Sequence, residues 1–339
     1  MSKEKFKILS IDGGGIKGVF PAYMLMLIEA ELKKRKDGKT KIYQHFDLIT
    51  GTSTGGIIAL ALSFGIPAKE IYELYLNNAK GIFGNKKKWL IQTYKNSSHE
   101  NVFLENLIRN KLKEYNNGID PILKDCKTHV CIPIYDLASG NPSVLKTPYH
   151  EAFKRDYHIP AYQVAMATAA APTYFNPYSS KYTDLDGIEK PFINKVDGGV
   201  MANNPTLVAF LEAIKAFKVN ISDLEILSIG TGHKKFTDIK NQKNWGLKYW
   251  MLKDKRKRLI ELFMQSQSQL VANYISLLHK GIDRREDDNF VYNRIDVALT
   301  DGSDMQMDEC NLNAIRSFAE LAAIEYQYNS TEILRNHFY

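Results

Sequence analysis

The sequence predicts an α/β sandwich on a mostly parallel sheet, and three observations carry that prediction. Short apolar runs alternate with stretches whose apolar residues recur at helical spacing. Two of the runs end in glycine-rich turns that lead straight into such a helix. No internal repeat or low-complexity linker interrupts the alternation, which is the pattern of strands joined through helices.

The first unit is Phe6 to Ile11, an apolar-rich run closed by Asp12 and three glycines. Pro21 to Lys36 follows as a helix, with Tyr23, Leu27, Ala30 and Leu32 at helical spacing. Phe46 to Thr50 repeats the theme: it runs into Gly51-Thr52-Ser53-Thr54-Gly55 and then into a helix over Gly56 to Phe64. Thr128 to Tyr135, Phe192 to Val196 and Leu224 to Ile229 are further strands. From about Trp245 the text turns helical, with Leu259, Leu262, Phe263, Leu270 and Ile275 as its apolar positions. A short strand at Tyr292 to Leu299 and a closing helix over Asn311 to Arg335 complete the chain. The expectation is one domain over 1–339, a core of about 5–232 and a C-terminal helical elaboration of about 245–339.

At 339 residues and 44% hydrophobic content the chain is long enough to bury a substantial core. Its three cysteines, Cys126, Cys131 and Cys310, form neither a C-x-x-C pair nor, with histidines, a metal-ligand spacing, so a reduced compartment without disulfides or zinc is expected. Met1 to Lys7 has no apolar core of a signal peptide, and no run reaches the roughly 18 apolar residues of a spanning helix. A cytoplasmic protein that meets membranes only peripherally is expected. The net charge of +7 is concentrated: residues 234–258 hold ten Lys and Arg against two Asp. Such a patch suits an anionic lipid surface, a nucleic acid, a nucleotide or solvent alone.

Three constellations carry chemistry. Gly51-x-Ser53-x-Gly55 between a strand and a helix fits a nucleophile elbow, where glycines flank the serine because the sharp turn leaves no room for side chains. The plain alternative is that Ser53 caps the following helix. Asp12-Gly13-Gly14-Gly15-Ile16-Lys17-Gly18 lets consecutive backbone N–H groups converge beside the positive end of a helix, a geometry for an oxyanion. Gly13-x-Gly15-x-x-Gly18 also matches a dinucleotide fingerprint, but no second strand delivers an acid about 20 residues on. In the third, Val196-Asp197-Gly198-Gly199, an acid at a strand end is followed by two glycines that permit close approach to another turn. The same residues also make an ordinary turn.

These blocks, with Ala169-Ala-Ala-Pro-Thr-Tyr-Phe175, Asp197-Gly-Gly-Val-Met-Ala-Asn-Asn-Pro205 and Leu227-Ser-Ile-Gly-Thr-Gly232, closely resemble the patatin-like phospholipases over roughly residues 5–320. The resemblance implies a three-layer α/β/α fold and hydrolysis of ester bonds in phospholipids or related acyl lipids. It assigns Ser53 as nucleophile, Asp197 as the acid/base partner and the amides of Gly13, Gly14, Gly15 and Ile16 to the oxyanion hole. Separately, no cluster of carboxylates at metal-loop spacing is visible, so no metal and no cofactor is expected. An ordinary aspartate, with a reference pKa of about 3.9, is a poor base for a hydroxyl, so a Ser-Asp dyad requires burial to raise it. A Ser-Asp-His triad is the competing account, with His233 ahead of His279 and His337 as the third member. An idle lipid- or nucleotide-binding module on the same fold is a further alternative.

The resemblance is nearer to the bacterial cytosolic members, some of which are effectors switched on by cyclic oligonucleotides during phage defence. The expected partners are a phospholipid membrane surface and a cyclic oligonucleotide activator, with no DNA or RNA polymer and the oligomeric state left open. Trp245, Tyr249, Leu252, Leu259 and Phe263 among Lys248, Lys253, Lys255, Arg256, Lys257 and Arg258 read as an interfacial amphipathic helix or as aromatics packed on the core. Lys86-Lys87-Lys88-Trp89-Leu90 is a shorter cluster of the same kind.

Overall fold

The structure, a computed structural model, describes residues 5–35, 38–84, 101–234, 246, 249–250, 258–281, 289–300 and 304–339. The cluster at Lys86 to Leu90 and most of the basic stretch, from Lys235 to Trp245 and from Met251 to Lys257, lie outside the described residues.

Strand β1 (Phe6–Ile11) is central, because its apolar residues are buried on both faces. It pairs in parallel with β2 (Leu48–Gly51) on one side and with β7 (Leu224–Ile229) on the other. β8 (Val291–Ile295) extends the parallel set beyond β7, and β3 (His129–Asp136) extends it beyond β2. The remaining strands are antiparallel: β4 (Asn141–Lys146) forms a hairpin with β3, β6 (Glu189–Asp197) also pairs with β3, and β5 (Tyr178–Thr183) pairs with β6. The sheet order is β5-β6-β3-β2-β1-β7-β8, with β4 on β3. The expectation of a mostly parallel sheet holds for its centre.

Successive strand side chains point to opposite faces. Leu9, Ile11, Ile49, Leu227 and Ile229 therefore share one core with α1 (Val19–Leu32), α2 (Thr54–Ser63), α3 (Ala68–Phe83) and α9 (Leu312–His337). Helices α4 (Val102–Glu114) and α5 (Ala161–Thr168) belong to that core as well. Ile8, Leu48, Leu224 and Ile226 face the other way, onto α7 (Thr206–Lys215) and α8 (Arg258–Lys280). Helices on both faces make the three-layer α/β/α arrangement, and they explain why the central strands read as nearly continuous apolar runs. Between β6 and α7 lies the single turn α6 (Gly199–Ala202). Among the described residues no helix is long and apolar enough to cross a membrane.

Register brings the chemistry together. Ile11 pairs with both Gly51 and Ile229, so the loops that follow β1, β2 and β7 emerge side by side at the carboxyl edge of the sheet. β2 pairs with β3 over His129 to Cys131, and β6 pairs with it over Ile134 to Asp136. Since β4 takes the other edge of Cys131 to Asp136, β6 continues along the edge that β2 leaves. Asp197, the last residue of β6, thus stops just ahead of the turn that carries Ser53.

Candidate active site

Ser53 has φ 55° and ψ −124°, a left-handed conformation that a non-glycine residue adopts only when its surroundings enforce it. Those surroundings are tight. A Cβ on Gly51 would lie 2.0 Å from Gly55 O, and one on Gly55 would lie 2.3 Å from Ile11 O, so both flanking positions admit only glycine. The Ser53 N–H donates to Thr168 Oγ1 at 3.0 Å, and its carbonyl accepts from Ile57 N at 3.1 Å. Its side chain makes no capping hydrogen bond to α2, so the hydroxyl is not spent on the helix start.

Asp197 is 1% exposed. Its Oδ1 accepts the Gly199 N–H at 2.6 Å, while Oδ2 has no hydrogen-bond partner of normal geometry among the described residues. Burial pushes the carboxyl up to about 7, against the Ser53 hydroxyl and the Gly199 amide, which both favour the carboxylate. The first glycine after it is a steric requirement, and the second is closely packed. A Cβ on Gly198 would meet Pro133 O at 2.2 Å, and one on Gly199 would meet Asp197 Oδ1 at 3.0 Å.

The glycine loop after β1 is gripped from several sides. Gly13 N donates to Asn203 O at 3.0 Å, and Ile16 N donates to Met307 O at 2.9 Å. These two amides, assigned to an oxyanion hole from the sequence, are already committed to the protein's own carbonyls. Among the described residues the Gly14 and Gly15 N–H groups have no such backbone partner, which leaves them as candidate donors. Gly15 sits at φ +60°, and a Cβ there would lie 2.3 Å from Met307 O. Asp12, at the head of the loop, accepts hydrogen bonds from Arg294 Nη1 and Nη2 and from Ser268 Oγ.

Two cavities flank this loop. One is almost wholly apolar and opens on Ser53, Thr54 and Gly15, with Ile57, Leu60, Phe83, Leu104 and Phe175 among its walls. The other is polar and contains Asp12, Lys17, His233, Arg294, Asp296 and Asp304. A third, largely apolar groove runs past Asp197 to Phe263 and Leu270 on α8.

Among the described residues, none of the three candidate histidines pairs with Ser53. His233 lies in the polar cavity, with Nδ1 3.2 Å from Asp296 Oδ2. His279 is engaged with Phe290 O, and His337 is buried against Asn293 Oδ1, its pKa pushed down to about 3 by burial. Sequence reasoning missed Thr168, Arg294 and Met307. Each is an ordinary residue in a helix, strand or loop, and nothing in its local sequence distinguishes it.

On a sheet of this order, a glycine-flanked serine opening on an apolar cavity belongs to the hydrolases of acyl esters. Comparison with known proteins makes this specific: the profile of the patatin-like phospholipase family matches residues 9–210, and the chain belongs to that family. It is accordingly a lipid acyl hydrolase. A cGAMP-activated phospholipase from Escherichia coli (strain TW11681) is 30% identical over 353 residues, covering 100% of this chain and 94% of its own. Patatin-like protein 2 of Arabidopsis thaliana is 32% identical over 308 residues, covering 81% of this chain and 72% of its own. The crystal structure of VipD from Legionella pneumophila aligns over 96% of this chain and 67% of that one, at a TM-score of 0.39 and 12% identity.

Proposed function

We propose that the chain cleaves fatty-acyl esters of phospholipids with a Ser53-Asp197 dyad, working from the cytoplasm on a membrane surface. One observation carries the reading: Asp197 is buried beside Ser53 with a pKa of about 7, so near neutral pH it is a far better proton acceptor than an exposed carboxylate. Asp197 takes the proton of Ser53 Oγ as that oxygen attacks the acyl carbonyl carbon. The tetrahedral oxyanion is met by the N–H groups of Gly14 and Gly15, at the positive end of the short helical turn that begins at Gly15. Collapse of the intermediate breaks the ester bond, and the proton on Asp197 passes to the departing lysolipid alkoxide. Asp197 then deprotonates a water, whose oxygen attacks the acyl-serine. The second collapse releases the fatty acid and returns the proton to Ser53. The apolar cavity in front of Ser53 suits the acyl chain.

Membrane contact is supported by the outer face of α8. Phe263, Leu270, Tyr274 and Leu277 share one helical face and are 65%, 48%, 50% and 68% exposed, and the first two line the groove that reaches Asp197. A lipid surface under this stripe delivers its esters to the dyad.

Control by a cyclic oligonucleotide is supported by the similarity to the cGAMP-activated phospholipase and by the ten Lys and Arg of residues 234–258, which match an anionic ligand. The test is mass-spectrometric product analysis after incubation with mixed phospholipid vesicles, with and without cyclic GMP-AMP. Fatty acid and lysolipid are the expected products, their yield rises with the nucleotide, and neutralising Lys255, Arg256 and Lys257 removes the rise. Full hydrolysis without nucleotide, with neutralisation lowering only vesicle binding, makes the patch a lipid contact. No acyl product under any condition sinks the hydrolase mechanism.

A further inference from the structure

Ser53 and Asp197 come from different strands, yet both are tethered to the same three residues at the end of α5. Thr168 Oγ1 accepts the Ser53 N–H at 3.0 Å and donates to Pro133 O at 2.8 Å. Two residues later, Ala170 O accepts the Asp197 N–H at 3.1 Å. Pro133 adjoins Ile134, the β3 residue that pairs with Asp197, so the strand beside the acid's is tied to the same hydroxyl. Thr168 is fully buried and lines none of the three cavities described above. Its methyl group faces the start of α2, where a Cβ on Gly56 would lie 2.6 Å from Thr168 Cγ2.

We propose that Thr168 is a positioning residue for hydrolysis: its hydroxyl fixes the main chain of Ser53 in the left-handed turn and sets the nucleophile's distance from Asp197. The inference rests on the dyad reading above. A hydroxyl is needed because the position must accept from one backbone group and donate to another, and threonine does both through one oxygen. Valine has nearly the same shape and neither capacity. Its substitution leaves the Ser53 N–H and the Pro133 carbonyl buried without their partner, and the turn relaxes away from the acid. Misplacement of a reacting group by about 1 Å costs about a hundredfold in rate.

The test compares Thr168→Ser, Thr168→Val and Thr168→Ala on a soluble chromogenic ester, with melting temperatures recorded and the competent serine counted by fluorophosphonate labelling. The serine variant is expected to keep kcat within about threefold. The valine and alanine variants are expected to lose about a hundredfold in kcat per labelled site, with KM nearly unchanged. The acid limb of kcat/KM in these two variants should also move above pH 7, because the Ser53 hydroxyl no longer draws the Asp197 carboxyl downward. A purely structural role changes the labelled fraction and the melting temperature and leaves the limb in place. Near-normal kcat per site in the valine or alanine variant overturns the proposal, as does an equal loss in the serine variant. If the valine variant does not fold, the alanine and serine variants decide the matter between them. Full activity of Ser53→Ala or Asp197→Asn would instead remove the dyad itself.

Discussion

Arg294, on β8, holds Asp12 through two charge-assisted hydrogen bonds, Nη1 to Oδ1 at 2.8 Å and Nη2 to Oδ2 at 2.7 Å. Nη1 also reaches Ser228 Oγ at 2.8 Å, and Nη2 reaches Asp296 Oδ2 at 3.1 Å. The family profile ends at residue 210, so a residue beyond it secures the head of the glycine loop. Burial raises the Asp12 pKa, and Arg294 opposes that rise.

Arg294→Met should therefore destabilise the protein by about 3–5 kcal/mol, the usual cost of stranding one member of a buried pair. Because the stranded Asp12 keeps a raised pKa, stability should fall further as pH rises. Pairing the change with Asp12→Asn removes one of the two stranded charges, Asp296 being the other, and should recover part of the loss. Urea unfolding of the two variants at pH 6 and pH 9 measures this, and equal stability of wild type and Arg294→Met would deny the pair its role.

The raised pKa of Asp197 has consequences for rate and for stability, with opposite signs. The base must be ionised to accept the serine proton, so kcat/KM should climb with pH through about 7 and level off above it. Stability runs the other way. An unfolded aspartate releases its proton near pH 4 and the folded one near 7, so the native state binds the extra proton between those values. The stabilisation is complete below about pH 4 and is lost as pH rises to about 7. Asp197→Asn should then abolish ester hydrolysis and raise the melting temperature at pH 8. A variant melting below wild type there would refute the claim that the carboxylate is buried at a cost.

His233 is paired with Asp296 across the glycine loop from the cavity that holds Ser53. His233→Ala should keep kcat within about tenfold, whereas removal of a true triad histidine costs on the order of 10⁴-fold. Ser53→Ala measured beside it should show no turnover. With no metal in the proposed steps, EDTA should leave hydrolysis of a soluble ester unchanged. A loss with His233→Ala as deep as that with Ser53→Ala would restore the triad.

The sequence by itself determined the strands β1 and β7, the serine elbow, the acid at the end of β6 and the glycine loop. These are legible because their causes are local. A strand buried on both faces must be an apolar run, and a turn that brings backbones within a Cβ's width of each other must be glycine, as at Gly51, Gly55 and Gly198. The antiparallel strands β4 and β5 left no such mark, since their edge positions tolerate polar residues. Only the tertiary structure decided what depends on contact between distant segments. It brought Ser53 and Asp197 to one edge of β3 and drove the Asp197 pKa upward by burial. It also committed the amides of Gly13 and Ile16 to Asn203 and Met307, and it sent His233 to Asp296. Thr168 shows the division most sharply: in sequence it is the last residue of an unremarkable helix, and its two hydrogen bonds exist only because α5 ends where β2 and β3 converge.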